Sequence, residues 1–287
     1  MQSHIALRIQ RSSSEPLSNR PIKHPLSTNE RARGAVMAYT VANKRFGRPL
    51  AKHANGAALK DKHPGQNKGY VMKIDMKQPI LDKNDTLAAE LRKRFAENHV
   101  FVLDLLASPG SGKTSTILAT IEALRDEFNI AVIEGDIASS VDAERIKAQG
   151  IPAVQINTGG ACHLESAMLK RAIDVLDLER LDLIIIENVG NLVCPTDFDL
   201  GENAKVMILS VPEGDDKPLK YPGVFQISEA IILNKVDTMP VFNFDEEAFR
   251  ASVTQLNPQA PVFPIAATKG EGVDAWASWL AERIRQA

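Results

Sequence analysis

The residues best suited to chemistry begin with the stretch Leu103 to Ser115, which reads LDLLASPGSGKTS. An apolar run short enough for a buried strand breaks into Ser108-Pro109-Gly110-Ser111-Gly112, and an amphipathic helix opens at Lys113-Thr114. Strand, glycine-rich turn and helix in that order are what a phosphate-binding loop requires. The glycines let backbone N–H groups turn inward around a β-phosphate, and the helix N-terminus adds its positive dipole end. Ser108, Gly110, Ser111, Gly112, Lys113, Thr114 and Ser115 are the expected cradle. Lys113 would reach the β- and γ-phosphates, and the Thr114 hydroxyl would ligate Mg²⁺. The first glycine of the usual Gly-x4-Gly-Lys-Ser/Thr pattern is replaced by Ala107.

Roughly 120 residues downstream, Asn234-Lys235-Val236-Asp237 follows an apolar strand. A carboxylate at Asp237 can accept from the N1–H and the exocyclic amino group of guanine together. Adenine offers neither donor in that place and would leave the carboxylate unpaired, a difference worth about 10⁴ or more in selectivity. Lys235 would lay its stem along the base, so GTP rather than ATP is the expected nucleotide. Ala266-Ala267-Thr268-Lys269 occupies the place of the loop that finishes such a pocket, with Thr268 and Lys269 as contacts. Glu187-Asn188-Val189-Gly190 closes another apolar strand and stands where many GTPases carry Asp-x-x-Gly. Glu187 and Asp136 are the carboxylates placed to approach Mg²⁺, and Gly190 would donate its N–H to the γ-phosphate. Structural capping is the alternative role for both carboxylates.

The third constellation holds the only two cysteines of the chain. Cys162-His163 lies within Thr158 to Glu165, TGGACHLE, and Cys194 follows the Glu187 segment as Asn191-Leu192-Val193-Cys194-Pro195. Thiolate and imidazole ligands suit Zn²⁺ or Ni²⁺. From spacing alone, two small buried cysteines and a satisfied histidine are the plainer account. A ligand set is favoured by the position of Cys194 just beyond the segment expected to sense the γ-phosphate. Three ligands from one chain leave such a site open, or completed by a second subunit.

Alternating strands and helices must position these residues. A helix of about four turns is expected after an N-cap at Asp82 to Asp85, with Leu87, Leu91 and Phe95 on its buried face. Strands are expected at 102–106, 130–133, 153–156, 183–186, 206–211, 230–233 and 262–265. Helices are expected after the phosphate loop and over 141–148, 163–176, 244–255 and 273–285, with Trp276 in the core and 212–223 a proline-rich loop. Several strands are apolar throughout, which implies an α/β fold with a mostly parallel sheet covered on both faces.

Composition frames this body. Of 287 residues 44% are hydrophobic and the net charge is −2. Residues 1–76 carry fourteen Lys/Arg against four Asp/Glu, leaving the remainder at −12. The first 71 residues lack sustained periodicity and are rich in Ser, Pro, Asn, Gly and Lys/Arg, so residues 1–77 read as a basic, disordered extension. Their acid-poor, Arg- and Ser-rich opening also has the composition of a transit peptide, and Met72 and Met76 are alternative starts. The histidines at 4, 24, 53 and 63 are too scattered for a metal tract. Nothing in the acidic body points to nucleic acid or membrane binding, and two cysteines are too few for a secreted disulfide framework, so a cytoplasmic protein is expected.

The combination SPGSGKT, EGDIASSVDAERI, TGGACHLE, ENVGNLVCP and NKVD resembles the HypB family, the GTPases of nickel insertion into NiFe-hydrogenase, over residues 78–287. The resemblance implies a P-loop NTPase fold of the SIMIBI-type G domain and hydrolysis of GTP to GDP and phosphate; no residue is an evident arginine finger, so turnover without a partner is expected to be slow. It implies a homodimer whose GTP state governs metal transfer, with Cys162, His163 and Cys194 binding Ni²⁺ or Zn²⁺ near the subunit interface. The implied partners are a HypA-type metallochaperone and the hydrogenase large subunit. Two departures are plain: no Cys-x-x-Cys-Gly-Cys precedes Cys162, and no dense histidine tract exists, which speaks against nickel storage. The related urease-maturation GTPases carry Cys-Pro-His, whereas Cys162 and His163 are adjacent. A urease-type insertion GTPase and a metal-sequestering protein with a regulatory nucleotide site are the alternatives.

Overall fold

In the computed structural model, residues 77–136, 145–146 and 148–287 are described. The basic extension and most of the helix expected at 141–148 lie outside them. The chain begins in α1 (Lys77–Glu97) and enters β1 (Phe101–Ala107), followed by α2 (Lys113–Leu124), β2 (Ile130–Asp136), β3 (Ala153–Asn157), α3 (Ser166–Ile173) and β4 (Leu183–Glu187). After β4 come β5 (Ala204–Ser210), short α4 (Lys217–Lys220) and α5 (Pro222–Ile227), β6 (Ala230–Asn234), α6 (Glu246–Leu256), β7 (Val262–Pro264) and α7 (Val273–Arg285). Among the described residues no helix is long and apolar enough to cross a membrane.

The seven strands form one parallel sheet in the order β3-β2-β4-β1-β5-β6-β7. Every residue of β1, β4 and β6 is buried, as a sheet covered on both faces demands. Alternate residues feed opposite cores. On one face Leu103, Leu105, Val132, Ile185, Val206 and Ile232 pack with Ile117 and Ile121 of α2 and Trp276 and Leu280 of α7. On the other, Val102, Ile133, Ile184 and Ile186 meet Leu91 and Phe95 of α1 and Leu169 of α3. A third cluster joins Met207, Leu209, Ile231 and Leu233 to Phe225 and Phe249. Trp276 is buried and donates its indole N–H to the Thr120 hydroxyl at 2.9 Å.

The order is what positions the site. The chain runs outward from β1 through β2 to β3, returns to insert β4 beside β1, and then builds β5 to β7 on the far side. The carboxyl ends of β1 and its neighbours therefore form the crevice where an open α/β sheet binds ligands. Ala107 is the last residue of β1, fully buried and paired with Ile208, so an alanine here is strand interior.

Three expected boundaries are corrected. Helix α1 spans 21 residues and runs straight through Asp82 to Asp85. Asn84 is buried there because its amide is used elsewhere: Nδ2 donates to the Asp199 carbonyl at 2.7 Å, and Oδ1 accepts the Ser166 N–H at 2.8 Å. Helix α3 begins at Ser166, not at His163. The preceding Gly159 and Gly160 have φ of 62° and 96°, which holds the Cys162-His163 pair in a loop. Finally, 212–223 is not a plain loop. Pro218 and Pro222 sit in the first turns of α4 and α5, where a missing N–H costs little.

Candidate functional site

The phosphate loop follows β1 directly. Gly110 and Gly112 take φ of 78° and 95°, turning the chain into the N-terminus of α2. Lys113 Nζ lies 3.3 Å from the Ser108 carbonyl, folded back over the loop. Ser111 is fully buried, and its hydroxyl has no hydrogen-bond partner among the described residues. Ser115 continues on the first turn of α2. The loop is also packed from the side, because a Cβ on Gly190 would come within 2.9 Å of Pro109.

Thr114 turns inward from α2. Its Oγ1 stands 3.3 and 3.4 Å from the two carboxylate oxygens of Glu187, the last residue of β4. Both residues are nearly fully buried. A hydroxyl and a carboxylate converging beside a phosphate loop are a donor set suited to a hard divalent cation. Asp136 ends β2 at the same edge, two residues past the position where Glu134 pairs with Glu187.

The base-reading loop is built onto the phosphate loop. Asn234 ends β6 and is buried. Its Nδ2 donates to the Ser111 carbonyl at 3.0 Å, and its Oδ1 accepts from the N–H groups of Lys235 (2.8 Å) and Ala267 (3.2 Å). One amide thus joins three loops. Lys235 adopts the left-handed conformation, with φ of 60°, and its Nζ donates to the Gly110 carbonyl at 2.7 Å. Asp237 sits in the turn that follows and pairs with Lys269 Nζ at 3.0 Å. That hydrogen bond holds the Lys269 ammonium above its ordinary pKa. Thr268 is exposed between these groups. The loose Ala-Ala-Thr-Lys segment therefore reaches the carboxylate expected to read the base.

The sulfur and imidazole groups also converge. One ligand atom each from Cys162, His163 and Cys194 lies within 4.8 Å of the others. Cys162 Sγ is 3.6 Å from His163 Nδ1. Neither cysteine is buried: Cys162 is exposed and Cys194 half-buried, which removes the plainer account of two core thiols. The neighbouring Cys194 sulfur, and then burial, push the Cys162 thiol up. The imidazole stacks on Phe198, ring centres 3.8 Å apart. Behind the pair, Leu164 is fully buried against β2, where Gly135 makes room; a Cβ there would lie 2.8 Å from the leucine side chain.

Five residues of consequence were not singled out from the pattern. Asn188, next to Glu187 and 1% exposed, accepts the Leu164 N–H at 3.2 Å and donates to the Asp104 carboxylate at 3.0 Å. Asp104 lies fully buried inside β1 and is paired with Lys205 at 2.9 Å, which also meets Glu202 at 2.8 Å. Burial raises the Glu202 carboxyl against the pull of Lys205. Burial would lower the Lys205 ammonium, but the two carboxylates hold it high. Asn191 completes the connection, its Nδ2 donating to the Cys162 carbonyl at 3.2 Å. A charged residue within the apolar run Leu103 to Leu106 was the available signal, since a buried carboxylate requires a partner.

A phosphate loop, a guanine-type reader and a convergent hydroxyl–carboxylate pair on the carboxyl edge of a parallel sheet define a P-loop GTPase. The model of the CobW/HypB/UreG nucleotide-binding domain matches residues 101–264. The hydrogenase maturation factor HypB of Escherichia coli strain K12 is 48% identical over 217 residues, covering 76% of this chain and 74% of that protein. That of Azotobacter vinelandii is 50% identical over 222 residues, covering 77% and 72%. The crystal structure of HypB from Helicobacter pylori in complex with nickel superposes with a TM-score of 0.68 at 41% identity, over 71% of this chain and 96% of that one. The chain belongs to the HypB family.

Proposed function

We propose that this chain is a GTP-hydrolysing metallochaperone that delivers nickel during NiFe-hydrogenase maturation, with nucleotide state coupled to metal transfer. The observation that carries the reading is the segment Glu187 to Asn191. At one end Glu187 faces Thr114; at the other, Asn188 and Asn191 hold the backbone of Leu164 and Cys162. Rearrangement at the nucleotide would therefore reach the backbone of the thiol–imidazole cluster itself. The nickel complex of the Helicobacter pylori relative supports nickel as the cargo.

In this reading Ser108 to Ser115 and Gly190 cradle the phosphates, with Lys113 neutralising developing charge. Asn234, Lys235, Asp237, Thr268 and Lys269 read guanine. Thr114, Glu187 and Asp136 would hold Mg²⁺, which supplies electrostatic stabilisation to phosphoryl transfer. Cys162, His163 and Cys194 hold Ni²⁺ or Zn²⁺, and because Cys162 is exposed the site is open to completion by a second copy of the chain. A homodimer, a HypA-type metallochaperone and the hydrogenase large subunit are the partners, in the cytoplasm.

The test is equilibrium titration of nickel and zinc into the full chain with GDP and then with a non-hydrolysable GTP analogue, with sizing on the same samples. Metal affinity or stoichiometry is expected to change with nucleotide and to fall in Cys162→Ala. Binding that ignores both the nucleotide and that substitution sinks the reading.

A further inference from the structure

Glu165 is the residue immediately before α3, the place where a short polar side chain ordinarily caps a helix. Its carbonyl does accept the N–H groups of Met168 and Leu169, at 2.9 and 3.0 Å. Its carboxylate makes no cap hydrogen bond. Instead Oε1 stands 3.6 Å from His163 Nε2. That nitrogen is buried and has no hydrogen-bond partner among the described residues.

The other edge of the same ring settles which nitrogen faces the thiols. His163 Nδ1 is the atom 3.6 Å from Cys162 Sγ. The stack on Phe198, with the planes only 26° apart, allows the ring to slide in its own plane but resists turning it over. A ring that offers Nδ1 as a lone-pair ligand must carry its proton on Nε2. A buried N–H needs an acceptor, and metal-ligating histidines ordinarily give theirs to a carboxylate, carbonyl or water. Closing 3.6 Å to hydrogen-bond length takes an in-plane slide of well under an ångström.

We propose that Glu165 is the positioning residue of the metal site: its carboxylate accepts the His163 Nε2–H, fixing the tautomer and aiming Nδ1 at the ion shared with Cys162 and Cys194. Glu165 is not itself a ligand. The inference rests on the metallochaperone reading and deepens it. It also gives TGGACHLE a physical reason to end in an acid, because the glutamate is within reach of the imidazole only when the helix starts after it.

The test is nickel affinity of the full chain in a double-substitution cycle of Glu165→Ala and His163→Ala, with Glu165→Gln and Glu165→Asp alongside. Glu165→Ala is expected to weaken nickel binding by about 10- to 100-fold, the usual effect of losing such a partner. Glu165→Gln, a neutral acceptor, should fall between it and the wild type, and Glu165→Asp should restore part of the loss. In the His163→Ala background, Glu165→Ala should cost nothing further. X-ray absorption on the nickel-loaded Glu165→Ala protein should show a weakened imidazole signal with the sulfur signal retained. Additive losses, or an unchanged imidazole signal, overturn the proposal, as does wild-type affinity in Glu165→Ala. If Cys162→Ala also leaves nickel affinity intact, the metallochaperone reading fails with it. A Cys162→Ala loss without a Glu165 effect fails this inference alone.

Discussion

Gly112 is where the glycine-rich loop after β1 touches the loop that opens at Asn234, and replacing it by alanine is a quantitative test of that contact. Its φ of 95° lies beyond the small left-handed region open to L-residues. Left-handed backbone costs an alanine about 1–2 kcal/mol. The new Cβ would also sit 2.4 Å from Asn234 Nδ2, about an ångström inside contact distance. That nitrogen donates to the Ser111 carbonyl at 3.0 Å, and the asparagine is buried. Moving it aside leaves a donor and an acceptor unsatisfied, at about 1–3 kcal/mol. The total is about 2–5 kcal/mol, divided between folding and nucleotide binding. Urea unfolding of the nucleotide-free protein and titration with a fluorescent GDP report the two shares, and a share of 2 kcal/mol in binding is about a 30-fold loss of affinity. Gly110→Ala is the internal control for folding, since φ is 78° but nothing lies within 4 Å of its Cβ. Only the backbone cost should appear there. A Gly112→Ala protein with wild-type midpoint and wild-type GDP affinity would refute the packing of Asn234 against the phosphate loop.

Lys113→Ala and Asp237→Ala should each abolish productive GTP hydrolysis while nickel binding survives, measured by phosphate release and metal titration; normal turnover in either would remove these residues from the site. Lys205→Met should cost about 3–5 kcal/mol in urea unfolding, because Asp104 and Glu202 are left facing each other without a counter-charge. Adding Asp104→Asn should recover part of that loss, and a fully neutral Lys205→Met would show that the cluster is solvated. The Arg92–Asp199 pair sets an acid limb. Burial raises the Asp199 carboxyl, but the Arg92 guanidinium and the Gly201 N–H more than offset it, so its pKa falls below the ordinary value. A depressed carboxyl stabilises the fold above the unfolded pKa near 3.9 and loses that contribution as pH falls through the folded value. Since both side chains are over a third exposed, the gap between wild type and Arg92→Ala should be no more than about 1 kcal/mol at neutral pH. That gap should close as pH falls through the folded value, and one that persists once the carboxyl is protonated assigns the effect to packing.

Most of the fold was legible because its signals are local. Apolar runs such as Leu183 to Ile186 and Ala230 to Leu233 became buried parallel strands, and helix α7 starts and stops where its 3.6-residue pattern does. The motifs were legible for the same reason: a glycine turn between a strand and a helix, and Asn-Lys-x-Asp after a strand, each fit within a dozen residues. The misses come mainly from tertiary use of a residue with a strong local preference, and in two cases from a proline's dual role. Asn84 reads as a cap and is consumed in bridging Ser166 to Asp199, 82 and 115 residues away. Pro218 and Pro222 read as breakers and open helices. The Asn188–Asp104–Lys205 chain and the Phe198 ring over His163 join segments that no window of sequence contains. The basic extension falls outside the described residues, so its expected disorder stands as an expectation.

The segment from Glu187 to Asn191 has a thermodynamic consequence of its own. It touches Thr114 at one end and Cys162 at the other, so under the proposed reading it is shared by both sites. Whatever factor separates the nickel affinities of the GDP and GTP forms must return, unchanged, as the factor by which nickel shifts the preference between those nucleotides. Where that factor differs from one, metal supply is an input to the nucleotide cycle as well as its cargo. A chain emptied of nickel and a chain loaded with it would sit at different GDP/GTP ratios in the same pool of nucleotide.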